Sequence, residues 1–96
     1  MKSLIAIFLF FTSFTYSQQI KNIVLDKNTG QPLEGVSVYF NETTIGTTTD
    51  ANGNFILTEK VSTNATLVIS FVGYETRLFS FPEIRALKEV LLQEKA

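Results

Sequence analysis

The run from Asp26 to Phe55, DKNTGQPLEGVSVYFNETTIGTTTDANGNF, constrains the fold of this chain more than any other segment. In it, Val36, Val38 and Phe40 alternate with Ser37 and Tyr39, the pattern of a strand with one buried side. Turn signals lie on either side. Asn28-Thr29-Gly30 precedes the strand, and Gln31-Pro32 begins an extended stretch because Pro disfavours helix in the residue before it. Gly30, Pro32 and Gly35 are therefore read as turn positions. Thr43, Thr44, Ile45, Thr47, Thr48 and Thr49 form a β-branched run around Gly46, which predicts a short, bent third strand with a bulge or close backbone approach at the glycine. Asp50-Ala51-Asn52-Gly53 follows. Its Asn-Gly pair tolerates the positive φ of a tight hairpin turn, after which Phe55 and Leu57 resume the alternation.

Elsewhere the dominant period is again two. Ile20 to Asp26 alternates loosely, with Ile20, Asn22 and Val24 on one side and Lys21, Ile23 and Leu25 on the other, so both faces of this first strand are fairly apolar. Thr66 to Val72 (TLVISFV) reads as a central strand ended by Gly73-Tyr74. A Tyr at such a corner buries its ring and hydrogen-bonds nearby backbone, with ligand stacking as the alternative. Glu75 to Phe81 is extended, with Pro82 as its stop. Leu87, Val90, Leu91 and Leu92 fit a helix as readily as a strand. Short strands with turn signals roughly every eight to twelve residues predict an antiparallel β-sandwich. Its expected core is Val36, Val38, Phe40, Phe55, Leu57, Leu67, Ile69 and Phe71.

The N-terminal residues read as an address. Lys2 supplies a positive n-region, Leu4 to Phe11 an apolar h-region, and Thr15 and Ser17 the small residues at the −3 and −1 positions of a cleavage site before Gln18. A membrane anchor is the competing reading, but the apolar run is far shorter than the roughly 20 residues that span a bilayer. Residues 1–17 are thus expected to be a cleavable signal peptide and residues 18–96 one small exported domain, monomeric in isolation. No cysteine is present, which excludes a disulfide-linked partner and leaves stability to the apolar core. Histidine is absent too, so Ser-His-Asp and Cys-His triads cannot form within the chain. With a net charge of −1 and no basic patch, nothing invites nucleic acid.

Sites for chemistry are few. Asp50, Asn52 and Asn54 resemble the start of a calcium loop, but Val61 stands where an EF-hand needs its twelfth-position Glu, so the turn reading is preferred. Glu34, Glu42, Asp50 and Glu59 lie near turns with no spacing that fixes a catalytic pair. No catalytic, cofactor-binding or metal-ligating residue is assigned. Tyr39 with Phe79 or Phe81 could form an aromatic platform for sugars, whereas Phe40, Phe55 and Phe71 read as core.

The string Asp26, Thr29-Gly30, Pro32-Leu33, Gly35-Val36, Val38, Gly46-Thr47, Thr49-Asp50, Gly53 and Phe55, then Gly73-Tyr74, resembles the carboxypeptidase regulatory-like domain over nearly all of residues 20 to 93. That domain is found just after the signal peptide in many Bacteroidetes outer-membrane proteins, notably TonB-dependent receptors. The resemblance implies a transthyretin-like, Greek-key-type β-sandwich of about seven strands, with Leu87 to Leu92 as the closing strand. Asn22 departs from the family, which commonly has Gly there. The resemblance carries no zinc-binding or catalytic residue and no cofactor, and the carboxypeptidase catalytic domain is missing, so peptidase activity is not transferred. It implies a non-catalytic module on the periplasmic side of the outer membrane, or secreted, that docks a cell-envelope protein, an outer-membrane receptor among the candidates. The candidate docking edge is Thr43 to Thr49, with the Thr47 N–H expected among its free donors. Such a module is a standalone domain; the alternatives are the front end of a TonB-dependent nutrient receptor encoded by a split or truncated gene, and a carbohydrate-binding module.

Overall fold

The computed structural model describes residues 19–58 and 64–96. The expected signal peptide and Glu59 lie outside the described residues. Among the described residues, seven strands and one short helix follow in order: β1 (Ile20–Asp26), β2 (Ser37–Phe40), β3 (Gly46–Thr48), β4 (Asn54–Leu57), β5 (Leu67–Ser70), β6 (Arg77–Phe79), α1 (Phe81–Ala86) and β7 (Val90–Leu92). They form a three-stranded sheet, β4-β1-β7, and a four-stranded sheet, β3-β2-β5-β6. The fold is an all-β sandwich.

Alternation along the strands fills the space between the sheets. Val38 pairs with Ile69 and Phe40 with Leu67 across the four-stranded sheet, while Ile20 pairs with Leu57 and Asn22 with Phe55 in the other. Val24, Val36, Val38, Ile69, Val90 and Leu92 are wholly buried. Burying one such side chain stabilises by about 1.5–3 kcal/mol, and these contacts form one continuous core. Phe71 is the exception to the expected core. It is half-buried and packs on the core's margin, with its ring 5.6 Å from that of Tyr74.

Four sequence expectations are corrected. First, the sandwich is not wholly antiparallel, because β7 runs parallel to β1, pairing Val24 with Val90 and Asp26 with Leu92. Second, Asp50 to Gly53 does not join two strands of one sheet. The turn is closed locally, with Asp50 N–H donating to the Asn54 carbonyl at 2.9 Å, yet β3 and β4 then diverge into opposite sheets. Third, Pro82 does not simply stop an extended segment; it lies in the first turn of α1, where its missing N–H costs nothing. Ser80 caps this helix in a capping box: its hydroxyl accepts from Glu83 N–H at 3.3 Å, and its own N–H donates to Glu83 Oε1 at 2.8 Å. The Ser80-x-x-Glu83 spacing is the sequence signal for this helix start, and the extended reading of Glu75 to Phe81 passed over it. Fourth, Leu87 is the helix C-cap, so the closing strand starts only at Val90.

The helix also accounts for Asn22. Its side-chain amide donates to the Leu87 carbonyl at 3.0 Å and the Ile84 carbonyl at 3.4 Å, satisfying groups that a helix C-terminus leaves open. Phe81 and Ile84 anchor the other face, with the Phe81 ring 5.7 Å from that of Phe40.

Two glycines separate backbone demand from space. Gly30 and Gly53 both have positive φ, +74° and +81°. Around Gly30 a side chain would meet open space, whereas at Gly53 a Cβ would lie 2.7 Å from the Val24 carbonyl oxygen and 3.0 Å from Pro32 Cβ. Gly30→Ala should therefore cost about 1–2 kcal/mol, and Gly53→Ala an additional ~1–3 kcal/mol for overpacking. Urea unfolding midpoints of the two variants check this; equal values would contradict the close approach.

Candidate functional site

The candidate docking edge lies on β3, an outer strand of the four-stranded sheet whose strand partner is β2. Within the predicted stretch, several residues serve the fold. The Thr43 hydroxyl donates to the Phe40 carbonyl at 2.8 Å and accepts from Ile45 N–H at 3.0 Å, tightening the β2–β3 loop, in which Glu42 holds a left-handed φ of 62°. Ile45 is half-buried against the core. Thr49 is buried, and its hydroxyl donates to the Leu33 carbonyl at 2.6 Å while accepting from Val36 N–H at 2.9 Å. Nothing within a threonine-rich run distinguishes this residue beforehand.

Register decides which backbone groups face a partner. Phe40 N–H donates to the Ile45 carbonyl and Thr49 N–H to the Val36 carbonyl, both at 3.0 Å. Antiparallel pairs alternate between bonded and non-bonded positions, so Thr47, opposite Val38 and two residues from each, turns its N–H and C=O inward. The expectation for Thr47 is thus corrected: Gly46 and Thr48 present the outward groups. Thr44 and Thr48 also have exposed side chains. Gly46 is needed because a Cβ there would lie 2.7 Å from Tyr39 Cβ and 2.9 Å from the Val38 carbonyl oxygen.

The other candidates separate. Phe79 and Phe81 are buried in the core, so they build no platform with Tyr39, which is 37% exposed. Glu34, Glu42 and Asp50 are exposed, and among the described residues no group of three or more potential ligands gathers to hold a metal. Asp50 Oδ1 accepts from the N–H groups of Asn52 and Asn54, both at 2.9 Å, an Asx-turn use of the carboxylate. Gly35, with φ +83°, donates its N–H to the Thr49 carbonyl at 3.0 Å; Pro32 bridges to Leu25, and Gly73, with φ +87°, accepts from Lys95 N–H at 2.9 Å.

A polar lock joins the sheets at one end. Asp26 Oδ1 accepts from the N–H groups of Asn28 at 2.8 Å and Thr29 at 2.9 Å, and Oδ2 accepts the Tyr74 hydroxyl at 2.5 Å. Tyr74 therefore bonds a carboxylate, where backbone was expected. The Tyr74 hydrogen bond and then the Thr29 N–H hold the Asp26 carboxyl below its ordinary value, against the opposing effect of burial. In return the hydrogen bond to Asp26, with desolvation and the charges of Asp26 and Glu94, pushes the Tyr74 hydroxyl up to about 12.

Residues 20–94 match the CarboxypepD_reg-like domain. The chain belongs to that family. It is 42% identical over 69 residues to the TonB-dependent receptor SusC of Bacteroides thetaiotaomicron; the match takes in 72% of this chain and 7% of the receptor. Two crystal structures of interface mutants of a type II cohesin–X-dockerin complex from Acetivibrio cellulolyticus each contain a chain of similar fold. Their TM-scores are 0.55 and 0.53, with 21% identity, and the likeness covers 78% of this chain and 51% of the matched one. At that identity the likeness is one of fold alone.

In this CarboxypepD_reg-like domain the Asp26–Tyr74 lock makes stability pH-dependent at both extremes. The lowered Asp26 value contributes stability that is present above its ordinary 3.8 and lost as pH falls through the folded value. The raised Tyr74 value contributes stability that is complete below 10.0 and lost as pH rises through about 12. Urea unfolding across pH should show the parent losing more stability than Tyr74→Phe on both limbs. Parallel profiles would remove the lock from the account.

Proposed function

We propose that this chain is a non-catalytic docking domain of the cell envelope, exported by its signal peptide and serving a TonB-dependent outer-membrane receptor from the periplasmic side. The 42% identity to SusC carries this reading. Edge strand β3 supplies a means: an extended segment of a partner adds beside it, taking hydrogen bonds from the outward backbone groups of Gly46 and Thr48. Residue-specific chemistry is not required, which agrees with a chain that has neither His nor Cys. In a second reading the same domain is one segment of the receptor polypeptide, favoured by a match that spans only 7% of SusC. An immunoblot of the cell envelope distinguishes them, through a band of domain size or one of receptor size.

The docking reading is tested by capture from envelope extracts with a C-terminally tagged protein. The parent should retain a TonB-dependent receptor identified by mass spectrometry. Thr48→Pro removes an outward donor and should reduce that capture about tenfold without lowering the melting temperature, because Pro is tolerated on a strand edge that faces solvent. Thr47→Pro should instead lower the melting temperature, since its N–H faces β2. Absence of any receptor from the parent's capture would overturn the proposal, and full capture by Thr48→Pro would remove β3 from it.

A further inference from the structure

The outer face of the three-stranded sheet carries a second surface, on the opposite side of the sandwich from the sheet that contains β3. Lys21, Ile23 and Leu25 alternate outward along β1, and cross-strand pairing sets Ile56 opposite Lys21, Asn54 opposite Ile23 and Leu91 opposite Leu25. Helix α1 meets β1 through Asn22, which alternates to the other side of the strand from Lys21 and Ile23. Strand β7 pairs with β1 only from Val24 onward, so beside Lys21 to Ile23 the neighbour is the Leu87–Glu89 segment, tied down through Asn22 and the Leu87 carbonyl.

Between that segment and β4 lies a trough of about 480 Å³ lined by Lys21, Asn22, Ile23, Asn54, Phe55, Ile56 and Lys88. Ile56 is 50% exposed, unlike its strand neighbours Phe55 and Leu57, which are buried. Both lysines are exposed, no carboxylate lines the trough, and neither lysine has an ion-pair partner among the described residues. Within the lining the only charges are these two lysines, with Glu89 beside Lys88 but outside it, on a chain whose net charge is −1. Lysine stems can lie along an apolar floor while their ammonium groups stay at its rim.

We infer that this trough binds an acidic polypeptide segment that places apolar side chains between its carboxylates. Apolar residues of the segment cover Ile23 and Ile56, and its carboxylates meet Lys21 and Lys88. Rim charges of this kind set encounter rate, salt dependence and register, while the apolar floor supplies the burial. Two lysines are too few for a nucleic acid, whose binding needs a row of phosphate contacts, and fall short of the roughly four to eight clustered basic residues that hold an anionic membrane surface. The inference goes beyond the receptor reading and does not depend on it.

The test uses fluorescence anisotropy with a labelled eight-residue peptide alternating Asp and Leu, beside Lys/Leu and Asp/Ser counterparts. The Asp/Leu peptide should bind, and more weakly as salt is raised. Binding should fall at least about tenfold in the Lys21→Glu/Lys88→Glu double variant and by a similar factor in Ile56→Ser. These positions are exposed, so circular dichroism should show unchanged folding. Thr48→Pro should bind as the parent does, which separates this site from the β3 edge. The proposal is overturned if the Lys/Leu or Asp/Ser peptide binds equally well, or if the variants leave binding unchanged. It is overturned equally if phosphatidylglycerol vesicles but no peptide are bound, or if Ile56→Ser acts only by abolishing self-association in sedimentation.

Discussion

The passage of the chain from one sheet to the other between Thr49 and Asn54 is the constraint on which the rest of the structure depends. At its start Thr49 is held on four sides: its hydroxyl bonds Leu33 and Val36, its N–H reaches the Val36 carbonyl, and its carbonyl accepts from Gly35. At its end the Gly53 carbonyl accepts from Val24 N–H at 2.8 Å, with the glycine backed against the Val24 carbonyl. One end belongs to the β2 side and the other to β1. The crossing therefore sets where β3 stops pairing and β4 begins, and it leaves β3 with an open edge.

Peripheral polar ties complete a domain that has no disulfide. Tyr74 reaches Asp26, Asn22 reaches Leu87, and Arg77 donates to the Leu91 carbonyl at 3.2 Å while its guanidinium lies 4.7 Å from the centre of the Phe79 ring. Each bond alone is modest, of the order of 1 kcal/mol net, next to the burial of the core. Two of them, Tyr74 to Asp26 and Arg77 to Leu91, tie one sheet to the other. Such ties matter in a small domain, where the margin of stability is narrow.

The two proposed surfaces sit on different sheets and differ in physics. Strand addition at β3 rests on backbone groups and tolerates many partner sequences, whereas the trough beside β1 reads charge and apolar spacing. A docking domain gains from that division, because a permissive edge and a selective face can hold separate segments at once.

Alternation in the sequence determined that Val36, Val38, Phe40, Phe55, Leu57, Leu67 and Ile69 face inward, because a strand has only two faces and a period of two reports them directly. It also marked Gly46 as a close approach and Asp50 to Gly53 as a tight turn. The helix at Phe81–Ala86 was missed, because Pro82 pointed to a stop, although Ser80-x-x-Glu83 carries the capping-box spacing. Tertiary structure alone decided that β4 joins β1 and not β3, that β7 runs parallel to β1, and that Asp26 receives Tyr74 from 48 residues away. It alone decided that Thr48 and not Thr47 turns its backbone groups outward. Period two states which face a side chain occupies, but neighbour and hydrogen-bond direction depend on register between distant segments, and that register is set by packing that no local pattern encodes.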